Sequence, residues 1–449
     1  MNPVTEVETN PDATLESESA NGGKIQDTNS KKSTAPTTQK DATLTFGATA
    51  GMPRRFKGSF DFQFVRTMGC TTYGGAEIGE CYETASRIED EKEDSYTEAW
   101  RVTAERVEAI ARKSLASGHL VSAREAFLRA SSYWREVGFY QSTTDPKCRA
   151  GWERQRDCFM QAGKLMDPPF EVVRIPYENG KSLPGYFLKA DASNKPRPTL
   201  MSLGGADSLG EELYFWGGGA AALRRGYNAL LFEIPGQRGA MCSNPDAELF
   251  FRPDTEVPLK YVCDWVLARA DVDPKRLALV GWSLGGYFAP RAAAFEKRIK
   301  ACIASTTLPN WQNVVLGAIG LPANQPCPRD LESKIDLSTV TSRFIAQGDI
   351  RYRHGASGGT IAEFIDGLSK YNLRGLEEKI KCPYLNIGGV AEGQLAVDGQ
   401  KFYEKLTCPK AQHIIAMKEG GEAHCGVNNE SLEHQIMFDW LDDVWTTLN

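Results

Sequence analysis

Histidine is scarce in this chain, with five in 449 residues. That leaves few candidates for a base or a metal ligand. The eleven cysteines are odd in number, scattered, and never spaced C-x-x-C. This argues against a disulfide framework or a zinc site and fits reduced thiols, so a cytoplasmic location is expected. No His/Glu or Cys cluster has metal-ligand spacing, so neither a metal nor a cofactor is expected. Positive charge is not in excess. The net charge of −6 gives no reason to expect nucleic acid or an anionic membrane surface as partner. No apolar run reaches the roughly 18 residues of a membrane span, and no basic stretch followed by an apolar core marks a secretory signal. Aromatics are missing before Phe46. Residues 1–50, rich in Thr, Ser, Asn, Glu and Lys, therefore read as a disordered tail. Neither Gly22-Gly23-Lys24 nor the Gly217–Gly219 run matches a phosphate-binding loop.

What is present divides into two patterns. Within 51–168 the dominant period is helical, which marks an N-terminal helical, cap-like domain. Trp100, Ala104, Val107 and Ala111 share one face over residues 93–116, and Gly118 stops that run. Ala126, Ala130, Tyr133 and Val137 are in phase over 119–140, and a third helix is expected over 148–166. No fixed repeat length links the three. Around Pro168 the pattern turns to strands. "FEVVRIPY", "LPGYFLKA", "PTLMSLGG" and "YNALLFEIP" come close together. "RLALVGW", "KACIAST", "CPYLNIGG" and "AQHIIAMK" follow at helix-length intervals. Short, nearly continuous apolar strands alternating with helices indicate a mostly parallel sheet. The tightly joined early pair indicates an antiparallel start. The domain over 169–449 is thus α/β, and the proline-bearing interval 307–381 is too long for a crossover and reads as an inserted lid.

One pentapeptide carries the chemistry. Gly281-Trp282-Ser283-Leu284-Gly285 has a strand before it and an Ala-rich helix after it, the setting of a nucleophile elbow. The turn is too tight for side chains at the flanking positions, hence glycine. A serine nucleophile needs a base. His119, His354, His413 and His434 fall in helices, a strand or the insertion. His424 lies in the Gly-rich loop "KEGGEAHCGVNN" after the last strand and follows the serine in sequence, so it is the base candidate. The acid belongs on the loop after the penultimate strand, where Glu392 is first past the strand and Asp398 is six residues on. Glu392 is preferred for its position at the strand end. An oxyanion needs two N–H donors: one from Leu284, the other from Gly205 or Ala206 in "SLGGADSLGEE".

These motifs, with "AREAFLRASSYWREVGFY", "VVRIPYENGKSLPGYF" and "RRGYNALLFEIPGQRG", resemble the α/β-hydrolase family of the fungal yellowish-green-type heptaketide hydrolases and the 2,6-dihydroxypseudooxynicotine hydrolases. The resemblance spans about residues 120–445. It implies the α/β-hydrolase fold, a mostly parallel eight-stranded sheet, with a catalytic serine, acid and histidine at Ser283, Glu392 and His424. It departs once: such relatives place aspartate where this chain has Glu392. It also implies hydrolysis of a carbon–carbon bond next to a ketone in a small polyketide-like or aryl-ketone substrate. The same residues would serve an esterase, lactonase or peptidase, and an acyltransferase, cyclase or inactive scaffold also remains open. Trp311, Phe344, Tyr352 and Phe364 are aromatic candidates for lining the pocket. A homodimer is left open.

Overall fold

Eight strands form one sheet in the order β1-β2-β4-β3-β5-β6-β7-β8. The computed structural model describes residues 54–447 except 246, 324, 337, 341 and 344–348; the expected tail and Phe344 lie outside the described residues. The strands are β1 (Glu171–Pro176), β2 (Ser182–Leu188), β3 (Arg197–Leu203), β4 (Asn228–Phe232), β5 (Val272–Trp282), β6 (Ala301–Ser305), β7 (Tyr384–Gly389) and β8 (Lys410–Ile415). β2 runs antiparallel to both β1 and β4, and every other pairing is parallel. All eight strand-like segments of the sequence are therefore strands, and the antiparallel start is where the tight early pair puts it. β4 and β6 are buried along their whole length, whereas the edge strand β8 is mostly half-buried. This is why its sequence is the most mixed of the later strands.

Before the sheet come helices α1 (Gly58–Gly69), α2 (Ile78–Ala85), α3 (Glu93–Ala116), α4 (Leu120–Gly138) and α5 (Pro146–Lys164). α3, α4 and α5 match the three helical runs of the sequence. Their small in-phase residues, Ala104, Ala111, Ala126 and Ala130, are fully or almost fully buried, so neighbouring helices approach closely. α1 has no visible helical period. The residues of one face of the sheet pack with these helices and the C-terminal helix Glu430–Thr447 in a single apolar cluster. The opposite face packs with the helices Glu256–Leu267 and Gly285–Phe295 and with segment 307–381. Among the described residues no helix is long and apolar enough to cross a membrane.

Candidate active site

β5 ends at Trp282 and the next helix begins at Gly285, so Ser283 sits in the turn at the carboxyl edge of the sheet. Its φ of 57° is left-handed, a costly conformation for a residue with a Cβ. The surroundings hold it there: Ser283 N–H donates to the Ser305 carbonyl at 2.7 Å, and Gly286 N–H donates to the Ser283 carbonyl at 2.7 Å. The glycines are required by close approach. A Cβ on Gly281 would lie 1.9 Å from the Gly285 carbonyl oxygen, and one on Gly286 would lie 1.7 Å from that of Thr306.

His424, in the loop after β8, places Nε2 2.9 Å from Ser283 Oγ. Its Nδ1 lies 2.5 Å from Glu392 Oε1. Glu392, in the turn after β7, is buried, and its other oxygen accepts from the Thr306 hydroxyl and from the Gly389 N–H. Three loop ends of adjacent strands thus converge in one chain of hydrogen bonds. Burial works against the His424 imidazolium, Cys425 and Glu392 work for it, and the balance holds its pKa well above the usual value. Burial pushes the Cys425 thiol up. Asp398 is not part of this chain. It accepts from Gln394 Nε2 at 2.9 Å on the surface of helix Gln394–Lys405.

The two expected backbone donors are Leu284 and either Gly205 or Ala206. Gly205 N–H is engaged by Ser208 Oγ at 2.9 Å. Among the described residues neither Ala206 N–H nor Leu284 N–H forms a hydrogen bond, which makes Ala206 rather than Gly205 the available partner of Leu284. Gly205 serves by being small: a Cβ there would sit 2.7 Å from Ser283 Cβ and 2.8 Å from Leu284 N. The loop is clamped from behind by residues that motif reasoning left without a role. Gln237 Nε2 donates to the Gly204 and Gly205 carbonyls, each at 3.0 Å. The fully buried Arg353 donates to the Ala206 carbonyl and pairs with Asp349 at 2.8 Å. Arg238, next to Gln237, takes Asp349 at 2.8 Å and reaches the carbonyls of Gly138, Phe139 and Gln141 at the end of α4. The "IPGQRG" motif is therefore a two-sided clamp.

A void of about 20 Å³ lies over Ser283, lined by Phe62, Arg66, Asp207, Ser208, Trp216, His424, Cys425 and Val427. It has room for about one water. Two of its walls come from α1, and none comes from segment 307–381. Of the aromatic candidates of that segment, none lines this void, and Phe344 lies outside the described residues. Trp311 and Phe364 are buried in the apolar cluster on one face of the sheet, and Tyr352 packs on Phe250. Arg66 pairs with Asp207 at 3.1 Å and Glu212 at 2.8 Å, and Arg135 of α4 pairs with the same Glu212 at 3.0 Å.

The other histidines are placed by packing. His354 is wedged among Phe251, Phe364 and Tyr371, and burial lowers its pKa to about 3. His434 accepts from Tyr73 and donates to the Trp216 carbonyl, and burial lowers its pKa to about 4. His413 meets Glu419 at 3.1 Å, and His119 stands at the N-cap position of α4 without a side-chain capping bond.

The 20-hydroxy-prefusarin hydrolase FUS2 of Gibberella moniliformis is 32% identical over 415 residues, 86% of this chain and 96% of that protein. Hydrolase ORFZ of Pyricularia oryzae is 40% identical over 430 residues, 86% of this chain and 97% of that one. The crystal structure of the 2,6-dihydroxy-pseudo-oxynicotine hydrolase superposes with a TM-score of 0.63 at 23% identity, covering 84% of this chain and 95% of that chain; it shares the fold. No family model matches the chain.

Proposed function

Because the chain belongs to the α/β-hydrolase family of these fungal hydrolases, and is itself a hydrolase, we propose that Ser283 is its nucleophile, His424 its base and Glu392 the acid that orients the base. The substrate is a polyketide-like or aryl ketone, and the bond cut is the carbon–carbon bond beside the carbonyl. The observation that carries this reading is Ser283 Oγ lying 2.9 Å from His424 Nε2, beside two backbone N–H groups with no partner among the described residues. The names of the relatives, a prefusarin hydrolase and a dihydroxy-pseudo-oxynicotine hydrolase, support the substrate class.

His424 takes the hydroxyl proton as Ser283 Oγ adds to the carbonyl carbon, and Leu284 and Ala206 N–H hold the oxyanion. On collapse the carbon–carbon bond breaks. The departing carbanion, stabilised as an enolate or by an electron-rich ring, takes its proton from the His424 imidazolium. Water, activated by the now neutral His424, then releases the acid from Ser283. The test uses a fluorophosphonate probe, an aryl β-diketone and a matched aryl ester. Labelling confined to Ser283 and a higher kcat/KM on the diketone are expected. Activity in an unlabelled protein overturns the serine. A preference for the ester, or acyl transfer to an added amine exceeding hydrolysis, overturns the bond or the reaction type.

A further inference from the structure

The void over Ser283 contains one acceptor that the reaction leaves unused. Asp207 follows Ala206, so its carboxylate is anchored one residue from a proposed oxyanion donor. Its Oδ2 takes Arg66 Nη1 at 3.1 Å, with Arg135 Nη2 at 3.8 Å. Its Oδ1 accepts no hydrogen bond among the described residues and is not sealed from solvent. The side chain is 13% exposed, and it lines the void. Of the other polar walls, Ser208 Oγ accepts from Gly205 N–H and keeps its own proton to give, and the Cys425 thiol donates to the Ser305 carbonyl at 3.1 Å. Phe62, Trp216 and Val427 make the rest of the wall apolar. The Arg66 guanidinium carbon lies over the Trp216 ring, 4.7 Å from its centroid.

We propose that Asp207 Oδ1 is a substrate-recognition site that accepts a hydrogen bond from a hydroxyl a few bonds from the carbonyl that Ser283 attacks, and that the enzyme selects hydroxylated aromatic or enolic ketones over their O-alkylated forms. This rests on the reading of Ser283 and the donor pair given above. Burial raises the Asp207 pKa, but Arg66, Arg135, Arg353 and His424 outweigh it and hold it low, so the carboxylate stays an acceptor at neutral pH. It is backed by guanidinium, so an incoming neutral hydroxyl meets a fixed anion without a free cation to attract carboxylates. An O-methyl group at the same place has no proton to give and leaves the carboxylate desolvated beside a methyl group. A ligand larger than a water has to displace part of the wall.

The test is calorimetric binding of 3-hydroxyacetophenone, whose hydroxyl cannot fold back onto its own ketone, against 3-methoxyacetophenone. In the unmodified chain the hydroxyl form should bind about 10- to 100-fold more tightly, the range for a hydrogen bond to a charged group. In Asp207→Asn the amide oxygen must face Arg66, which turns the NH2 into the void and replaces an acceptor by a donor. The preference should then vanish or reverse. Equal binding of the two ketones, no binding of either, or a preference that survives in folded Asp207→Asn overturns the proposal. If that variant does not fold, the ligand pair on the unmodified chain decides alone. Hydrolysis is not the readout, so a clear preference in a protein whose Ser283 proves inert sinks the nucleophile and leaves this recognition standing.

Discussion

Glu392→Gln replaces a carboxylate by an amide of the same shape, and the structure dictates how the amide turns. One oxygen of Glu392 accepts from the Thr306 hydroxyl and from Gly389 N–H at 3.0 Å. Thr306 can rotate its hydroxyl, but a backbone N–H can only donate. The amide oxygen must therefore stay on Gly389, and the NH2 must face His424 Nδ1. Nδ1 then becomes an acceptor, and the proton moves to Nε2, which points at Ser283 Oγ at 2.9 Å. The imidazole offers a donor to the group whose proton it should take. A wrong tautomer of this kind costs about 10⁴ in kcat, equivalent to roughly 5.5 kcal/mol of barrier. KM should change little, because Glu392 is buried behind His424. The pH profile adds a second signature. Neutral His424 is the active form, so kcat/KM falls as pH falls through its pKa. That pKa is held above the ordinary 6.5, so the acid limb lies above that value. Without the counter-charge the imidazolium loses support, and the limb should move to lower pH. Steady-state kinetics between about pH 5 and 9, near the histidine range, measure both. A loss under about tenfold with an unmoved limb would refute the role of Glu392.

Ser283→Ala should keep the fold and lower kcat by at least about 10³-fold, read by turnover beside circular dichroism. Gly205→Ala puts a methyl against Ser283 Cβ and Leu284 N and should cost about 10² to 10³ in kcat by crowding the donor pair, with Asp398→Asn as the near-silent control. His354 is buried with its pKa lowered to about 3, so the unfolded chain binds the extra proton below about pH 6.5. Wild type should therefore lose stability as pH falls from that point, by about 2 kcal/mol at pH 5 relative to pH 7 beyond any loss in His354→Phe; parallel urea curves for the two would refute it. Arg238→Lys cannot reach three carbonyls and Asp349 at once, and should lower unfolding stability by about 2–3 kcal/mol in urea titration.

The strands were legible because apolar β-rich runs between turn residues have few other uses, and the elbow because a strand–glycine–serine–glycine–helix order is rare without a nucleophile. α1 was not legible. Phe60, Phe62 and Phe64 alternate with Asp61 and Gln63, a period of two, yet the segment is helical and these five residues are all buried. Asp61 accepts from the Arg55 and Phe56 N–H groups before the helix, and Gln63 accepts from Arg135. The polar positions are satisfied inside, which no periodicity of water exposure can signal. This hid Phe62 and Arg66, two walls of the site. For the aromatics of 307–381 composition could not decide: Trp311 and Phe364 are buried in the apolar cluster, and a pocket lining takes the same composition as a core. Which of Gly205 and Ala206 keeps its N–H available depends on Ser208 turning back three residues, a matter of loop geometry that spacing leaves open.

The clamp formed by Gln237 and Arg238 makes the helical segment and the sheet a single inheritance. Adjacent side chains hold the loop that carries Ala206 and the last turn of α4, and Asp349 is shared between Arg238 and Arg353. A chimera that grafts residues 54–164 from a relative onto this sheet would import foreign carbonyls for Arg238 and foreign partners for Glu212. Its charges would no longer close, and the misfit would surface at the oxyanion loop, far from the graft's own seam. Exchange between such enzymes therefore has to carry α4, the "IPGQRG" turn and Asp349 together.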